Sequence, residues 1–328
     1  MARKARFHVL TSVKQTTRHD SPKLTAFAAP EGRVSAFGRR CGADMKAPAE
    51  LSLGWRTDLN FARFDGELIE RADCIVVRTP ANPTYWWGNF LLFDHAPRAG
   101  DAAEWSRRFE AEIGSHQAES LHTTFGVDAR EAFELPDDFA QRGFTLYASN
   151  VLTMQREQLR APRTALRAGL RVAALKLPEQ SPEAVELQVL CDACEHVPVE
   201  GYRLFRQRQM ARYESMRHQG LGDWFGVFAE TARGEQLVAD CGLFHAGPGF
   251  DALGRFQHVE TDPALRRRGL CSALIHAVCA DAFERVKLHT LVIVADPLDV
   301  AIGLYESLGF VRGAASWHIE RRPDHPAP

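Results

Sequence analysis

Two short stretches of the chain recur at a single separation. LYESLGF at 304–310 resembles DFAQRGF at 138–144, and GRFQHVETDP at 254–263 resembles GNFLLFDHAP at 88–97. Both pairs lie 166 residues apart, so Gly88 and Gly254, Phe90 and Phe256, Pro97 and Pro263, Gly143 and Gly309, and Phe144 and Phe310 coincide without a net gap. Each match is slight, but a shared register is the mark of duplication, and duplication restricts the chain to two copies of one plan. A length of 328 residues leaves room for two cores of ordinary size.

The second half starts afresh after a polar connector, QREQLRAPRTALRAGL. It reads as strand RVAALKL, helices SPEAVELQVLCDAC and LFRQRQMARYESMRHQG, then strands WFGVFAE, LVADCGLFHAG and LGRFQHVET. A helix behind three arginines, strand TLVIVAD, helix VAIGLYESLGF and strand AASWHIERR complete it. Helices interleaved with mostly antiparallel strands predict a mixed α/β layer. Order in the first half is expected from GWRTDLNFARFDG onward, with β-rich runs ADCIVVRTP and YWWGNFLLFD, helix DAAEWSRRFEAEIG, strand HTTFGVD, helix PDDFAQRGF and strand TLYASNVLTM. These readings divide the chain into a disordered extension at 1–45, a first copy at 46–165 and a second at 166–328.

A net charge of -2 gives no reason to expect a nucleic-acid or membrane partner for the whole chain. No apolar run approaches the roughly 18 residues that span a bilayer, and the basic N-terminus lacks the long apolar core of a secretory signal. An odd count of seven cysteines argues against a disulfide framework and for a reducing cytoplasm. Cys191 and Cys194 have metal-ligand spacing with His196 beyond, but they sit in a helical pattern with no second ligand pair; a structural role is expected, and no metal.

Residues 261–278 read TDPALRRRGLCSALIHAV, three arginines running into a glycine and an apolar stripe. Leu270, Leu274, Ile275, Val278 and Phe283 are spaced to form one helix face. A helix start offers unpaired N–H groups and the positive end of its dipole, a seat for an anion that needs no large net charge. Gly269 lets the backbone approach a ligand closely, and the small Cys271 and Ser272 keep the next turn uncrowded. In isolation RRRG reads as a solvated basic turn.

Its setting gives it another meaning. A strand ending Val259-Glu260-Thr261, a proline, R-x-x-G, a helix, TLVIVAD and then LYESLGF resemble the GNAT acetyltransferase superfamily over about residues 170–320. The family's phosphate loop, Q/R-x-x-G-x-G/A, is matched by Arg266, Gly269 and Cys271, the cysteine being a departure. The resemblance implies acetyl-CoA as acyl donor, with backbone groups of Val259 and Thr261 pairing with the pantetheine arm. It implies a pyrophosphate held by amides of Arg267, Arg268, Gly269, Leu270, Cys271 and Ser272, with arginine side chains on the outer phosphates. Tyr305 matches the family's tyrosine that commonly protonates the departing thiolate, and its reference pKa of about 10 suits that task. For the base, Glu260 and His258 lie on the strand beside the expected thioester, where Gln257 would orient an amine or water. The asparagine that many members carry seven residues before the tyrosine is Leu298 here, so either Asp296 takes part of its role or the contact is absent.

Carried back 166 residues, Arg266–Cys271 falls on Gly100-Asp101-Ala102-Ala103-Glu104-Trp105, and Tyr305 falls on Phe139. Carboxylates and a tryptophan oppose a pyrophosphate, so the first copy is expected to be degenerate and the second complete. NPTYWWGNFLLF is apolar on both faces and reads as a buried strand; the sharper alternative makes Tyr85, Trp86 or Trp87 a wall of the acceptor groove. The expected fold is α/β, a mixed sheet in two tandem GNAT-like domains. The expected activity is direct acetyl transfer in a ternary complex to a primary amine, a small molecule rather than a protein, with Cys271 too near the phosphates to carry the acyl group. The alternatives are a non-catalytic coenzyme A-binding sensor or scaffold and a protein-modifying acetyltransferase.

Overall fold

The computed structural model describes residues 45–192, 199–232, 234–247 and 251–322. The first half contains α1 (Leu53–Asp65), β1 (Glu67–Glu70), β2 (Cys74–Arg78), β3 (Phe90–Phe93), α2 (Asp101–Phe109), β4 (Thr123–Val127), α3 (Asp137–Gln141) and β5 (Thr145–Gln155). The second contains β6 (Leu170–Ala174), α4 (Ser181–Asp192), α5 (Val199–His218), β7 (Gly222–Thr231), β8 (Gly234–Phe244), β9 (Leu253–Thr261), α6 (Leu270–Asp281), β10 (Thr290–Ala295), α7 (Ala301–Leu308) and β11 (Val311–Arg321). None of the described helices is long and apolar enough to cross a membrane.

These strands form one sheet in the order β1-β2-β3-β4-β11-β5-β10-β9-β8-β7-β6. The last strand of each half is exchanged: β11 inserts between β4 and β5, and β5 inserts between β11 and β10. Backbone ladders at the sheet's centre therefore bind the halves to each other.

Duplication is visible in the backbone. Val77 pairs with Phe90 in the first half and Leu243 with Phe256 in the second, each residue 166 positions from its counterpart. Helices α3 and α7 end alike, on left-handed Gly143 (φ 78°) and Gly309 (φ 111°). At these ends Phe144 N–H donates to Phe139 O and Phe310 N–H to Tyr305 O, both at 3.1 Å. Helices α2 and α6 each run on into a π-helical turn, at Glu110–Gly114 and Ala282–Val286.

Helices cover both faces of the sheet. Phe90 and Leu92 of β3 join the core beneath α1, while Leu91 and Phe93 join the core beneath α2, so this strand is apolar throughout because both faces are buried. α6 and α7 pack on Phe256, Val259 and Ile293, and α4 and α5 pack on the opposite face against Trp224, Phe228 and Phe244. α1 spans the halves: Trp55 Nε1 donates to Val127 O at 3.2 Å, and Arg255 of β9 donates to Gly54 O at 2.9 Å.

Two local expectations are corrected. YWWGNFLLFD is not one strand, because Trp86–Gly88 form a 3-10 turn and β3 begins at Phe90. The Asn89 side chain organises that turn, accepting from Thr79 N–H at 2.8 Å and donating to Tyr85 O at 2.8 Å. Strand β1, in GELIE, was not anticipated. Residues 1–44, Cys194 and His196 lie outside the described residues.

Candidate active site

The site begins with a missing ladder. Parallel strands β9 and β10 pair at Leu253/Thr290, Gly254/Leu291 and Arg255/Val292, and no further. Just beyond, β9 bulges against β8: Gly242 faces Gln257 but Asp240 faces Glu260, so two residues, His258 and Val259, oppose the single Cys241. His258 adopts φ 49°, a left-handed conformation costing a non-glycine residue roughly 1–3 kcal/mol. A bulge bends its strand, and here the carboxyl end of β9 leaves β10 and opens a wedge between them.

The anion seat stands at the mouth of that wedge. Asp262 Oδ1 accepts from Ala264 N–H at 2.8 Å, starting a turn at Pro263–Leu265. Arg267 (φ 67°) and Gly269 (φ 80°) then reverse the chain in left-handed conformations, and α6 starts without a side-chain cap. A cavity of about 560 Å³ opens there. Of the nine residues expected to hold a cofactor, Thr261, Arg266, Arg267, Gly269, Leu270, Cys271 and Ser272 line it. Val259 instead lies in the core, and Arg268 is exposed outside the lining. Arg266 Nε donates to Thr261 O at 3.1 Å, tying the loop to the strand end. That carbonyl also accepts from Cys191 Sγ at 3.3 Å, so one of the groups expected to meet the pantetheine arm is already engaged.

Tyr305 is fully buried and its hydroxyl has no hydrogen-bond partner. Burial, reinforced by the neighbouring Cys271, Asp299 and Glu260, pushes the phenol well above 10. The reference acidity expected from the sequence is thus corrected: Tyr305 holds its proton firmly at neutral pH. Burial likewise pushes the Cys271 thiol up to about 12, which removes it as a nucleophile.

Glu260 and His258 do not stand alone. With Asp192, at the end of α4, they bring carboxylate and imidazole atoms within 4.8 Å of one another, all three buried. His258 Nε2 lies 4.0 Å from Asp192 Oδ2, which also accepts a hydrogen bond from the Tyr202 hydroxyl. Asp296 Oδ1 accepts from the Leu298 N–H at 2.8 Å, and both residues are exposed, Leu298 at 78%.

The first half closes every one of these features. Strands β3 and β4 pair to their ends, through Phe93/Val127 and on to Asp128 N–H donating to Phe93 O at 2.8 Å. Trp105 stacks flat on Phe93, centroids 3.6 Å apart, and meets Phe139, the counterpart of Tyr305, at 5.5 Å. The start of α2 is already occupied by a carboxylate, since Asp138 Oδ2 accepts from Gly100 and Ala102 N–H, both at 3.1 Å. The counterpart of Asp138 is Leu304, which lines the open cavity. The constant separation fails at this loop: the left-handed glycines that start α2 and α6 are Gly100 and Gly269, 169 residues apart, because the second loop carries extra residues. The projection of Gly269 onto Ala103 is corrected accordingly.

Of the three aromatic residues, Tyr85 reaches α5, its ring 5.4 Å from Phe205. Trp86 stacks on His122, and Trp87 packs on Trp55 of α1 and on His318 of β11 in the second half. Sequence reasoning missed Arg163 and Thr164, connector residues that line the cavity, and Asp192. The arginine-rich connector was the only trace of the first pair; nothing local marked Asp192.

The model of the acetyltransferase (GNAT) family matches residues 192–310. No curated protein matches the chain. Among solved structures, a functionally unknown conserved protein from Staphylococcus epidermidis is similar with TM-score 0.62 and 14% identity, covering 84% of this chain and 99% of that one. A GCN5-related N-acetyltransferase from Kribbella flavida is similar with TM-score 0.57 and 14% identity over 80% and 91%. A third, from Sphaerobacter thermophilus, has TM-score 0.50 and 15% identity over 87% and 96%. At these identities the likeness is one of fold.

Proposed function

Because residues 192–310 form a domain of the GNAT acetyltransferase family, we propose that the second half moves an acetyl group from acetyl-CoA to a primary amine in a ternary complex. One observation carries this reading: the wedge between β9 and β10 opens onto an uncapped helix start, and the buried Tyr305 phenol, near enough to Cys271 and Glu260 to feel their charge, has no hydrogen-bond partner. Amides from Gly269 to Ser272 would hold the pyrophosphate, the left-handed Gly269 keeping a side chain out of their way. Arg267 and, from the connector, Arg163 line the cavity as cations for outer phosphates.

When bound, the thioester supplies the acetyl group. Glu260, set among His258 and Asp192, takes the proton the amine loses as its nitrogen bonds to the carbonyl carbon. Tyr305 gives its proton to the sulfur as the C–S bond breaks; a phenol that stays protonated until a thiolate develops beside it is suited to that step. The burial of this cluster favours a small-molecule acceptor over a protein. The compartment in this reading is the cytoplasm, where Cys74, Cys191, Cys241, Cys271 and Cys279 remain free thiols.

Thiol release from acetyl-CoA across a panel of amines tests the activity. Tyr305→Phe is expected to bind coenzyme A as before while turnover falls roughly 10²- to 10⁴-fold, the range for a lost general acid. Unchanged turnover across the pH range would make Tyr305 a packing residue. Coenzyme A binding without thiol release to any amine would make the domain a sensor or scaffold.

A further inference from the structure

Between α5 and β9 the fold buries more hydrogen-bonding capacity than it uses. Arg206, Gln209 and Tyr213 recur three and four residues apart, on one face of α5. The Tyr213 hydroxyl donates to Gln257 Oε1 at 3.2 Å, which directs that face at β9. Arg206 is 0% exposed and Gln209 and Gln257 are 1% exposed. Arg206 Nε donates to Gln188 Oε1 at 2.7 Å, but Nη1 and Nη2 have no hydrogen-bond partner. Neither do both amide atoms of Gln209 or the Nε2 of Gln257. Asp240 Oδ2 accepts from Trp224 Nε1 at 2.9 Å and from Gln188 Nε2 at 3.1 Å, so among the described residues Arg206 is linked to this carboxylate by hydrogen bonds only through Gln188.

Buried polar groups are nearly always paired, and a guanidinium removed from water without a carboxylate is the costliest exception. The two unused Nη groups form a planar fork, the shape that binds a carboxylate through two parallel hydrogen bonds. Amide N–H groups of Gln209 and Gln257 add neutral donors. A monoanion balances one guanidinium, whereas a dianionic phosphate would set two charges against a single cation with Asp192, Glu260 and Asp240 nearby. Gln257 immediately precedes the bulge of His258 and Val259, and Glu260 follows it. The carboxylate-seeking and amine-seeking ends of this layer are thus separated by a few residues of one strand, on the order of 7–10 Å.

We infer that the acceptor is an amino acid, its carboxylate received by Arg206 with Gln209 and Gln257 and its amine presented to Glu260. This rests on the acyl-transfer reading above. The experiment measures thiol release from acetyl-CoA with the twenty proteinogenic amino acids, β-alanine and 4-aminobutyrate, each beside its carboxamide, using full-length protein whose coenzyme A binding has been measured by calorimetry. At least one amino acid is expected to turn over, with kcat/KM for its carboxamide lower by about 10²-fold. Arg206→Met is expected to remove that preference mainly through KM for the amino acid, with coenzyme A affinity within a few-fold. Arg206→Lys should restore only part, having the charge without the fork.

Coenzyme A binding together with equal turnover of acids and carboxamides, or with no turnover of any amino acid, overturns the inference and leaves the family's acyl-transfer chemistry standing. The acid-to-carboxamide comparison needs no variant and so survives a failure of Arg206→Met to fold. If coenzyme A does not bind, the acyl-transfer reading fails by itself. Calorimetry with the N-acetyl derivatives of the panel then decides the carboxylate site: binding lost in Arg206→Met supports it, and absence of binding sinks it.

Discussion

Helices α2 and α6 begin with the same device, a left-handed glycine shortly after a parallel strand, yet one start is sealed and the other open. Around Gly100 the seal has three parts: the Asp138 carboxylate on the amides, Trp105 flat against Phe93, and a β3–β4 ladder that continues to its end. Around Gly269 each part is missing, with Leu304 in place of the carboxylate, β9 bent away by its bulge, and arginines beside the loop. A helix start is therefore not sufficient for an anion site. What distinguishes the second half is that, among the described residues, no side chain caps the start of α6.

The largest expected effect breaks that symmetry directly. Gly269→Glu puts a carboxylate and a strained left-handed side chain at the open start, whereas Gly100→Glu imposes the same backbone strain at the sealed one, where an added Cβ meets nothing within 4 Å. Calorimetry should show coenzyme A binding abolished in the first variant and retained in the second. Loss of binding in both folded variants would mean that the two starts are not independent.

A second contrast lies one strand away. Asp240 of β8 and its counterpart Cys74 of β2 are both fully buried, and burial pushes the carboxyl up to about 7 and the thiol up to about 11. Asp240 ionises at 3.8 in the unfolded chain. From pH 4 to 7 the folded state keeps a proton that the unfolded state releases, so this group's contribution to stability is full below about 4 and lost as pH rises through 7. His122 and His318, pushed down to about 4 and about 3 by burial, act with the opposite sign, costing stability as pH falls below the ordinary histidine value. The difference between wild type and Asp240→Asn isolates the carboxyl. Denaturation at several pH values should show a gap that changes by roughly 2–4 kcal/mol between pH 4 and 8. Cys74→Ala should show no pH-dependent gap in that range.

How much of this was legible depended on whether neighbours in sequence were also neighbours in space. The shared register was readable because α3 with β5 and α7 with β11 carry no insertion between the halves, down to the glycines that end the helices. The proposed phosphate loop was readable as a candidate because its residues are consecutive in the sequence. The bulge was not: a single extra residue at His258 leaves no mark on the alternation of a strand buried on both faces. Nor was the exchange of β5 and β11, since pairing partners in an otherwise apolar sheet are chosen by the whole topology. Asp192 joins Glu260 and His258 from another helix, and Arg163 arrives from a connector whose polarity alone reads as solvation.

The connector supplies the next smaller effect. Arg163 is exposed at the rim of the open cavity and has no counterpart in the sealed half. An exposed cation facing a phosphate contributes about 1 kcal/mol and is screened by salt, so Arg163→Ala should weaken coenzyme A several-fold at low ionic strength and by less at high. A loss independent of salt would indicate that Arg163 positions the loop rather than meeting a phosphate.

The smallest effect tests the seal itself. Asp138 accepts from two amides at the start of α2, and removing such a group costs a helix roughly 0.5–2 kcal/mol. Asp138→Ala should lower the free energy of unfolding by that amount and leave coenzyme A binding at one site per chain, because Trp105 still lies against Phe93 and the β3–β4 ladder is still closed. The two helix starts then differ in how they are stabilised: α2 takes its anion from Asp138 of α3, and in the proposed reading α6 receives one with its ligand. Added coenzyme A should therefore raise the denaturation midpoint of the full chain and of Asp138→Ala equally. A second equivalent of coenzyme A bound by Asp138→Ala would show that the carboxylate alone closes the first site, and the stacked Trp105 would lose its role as a plug.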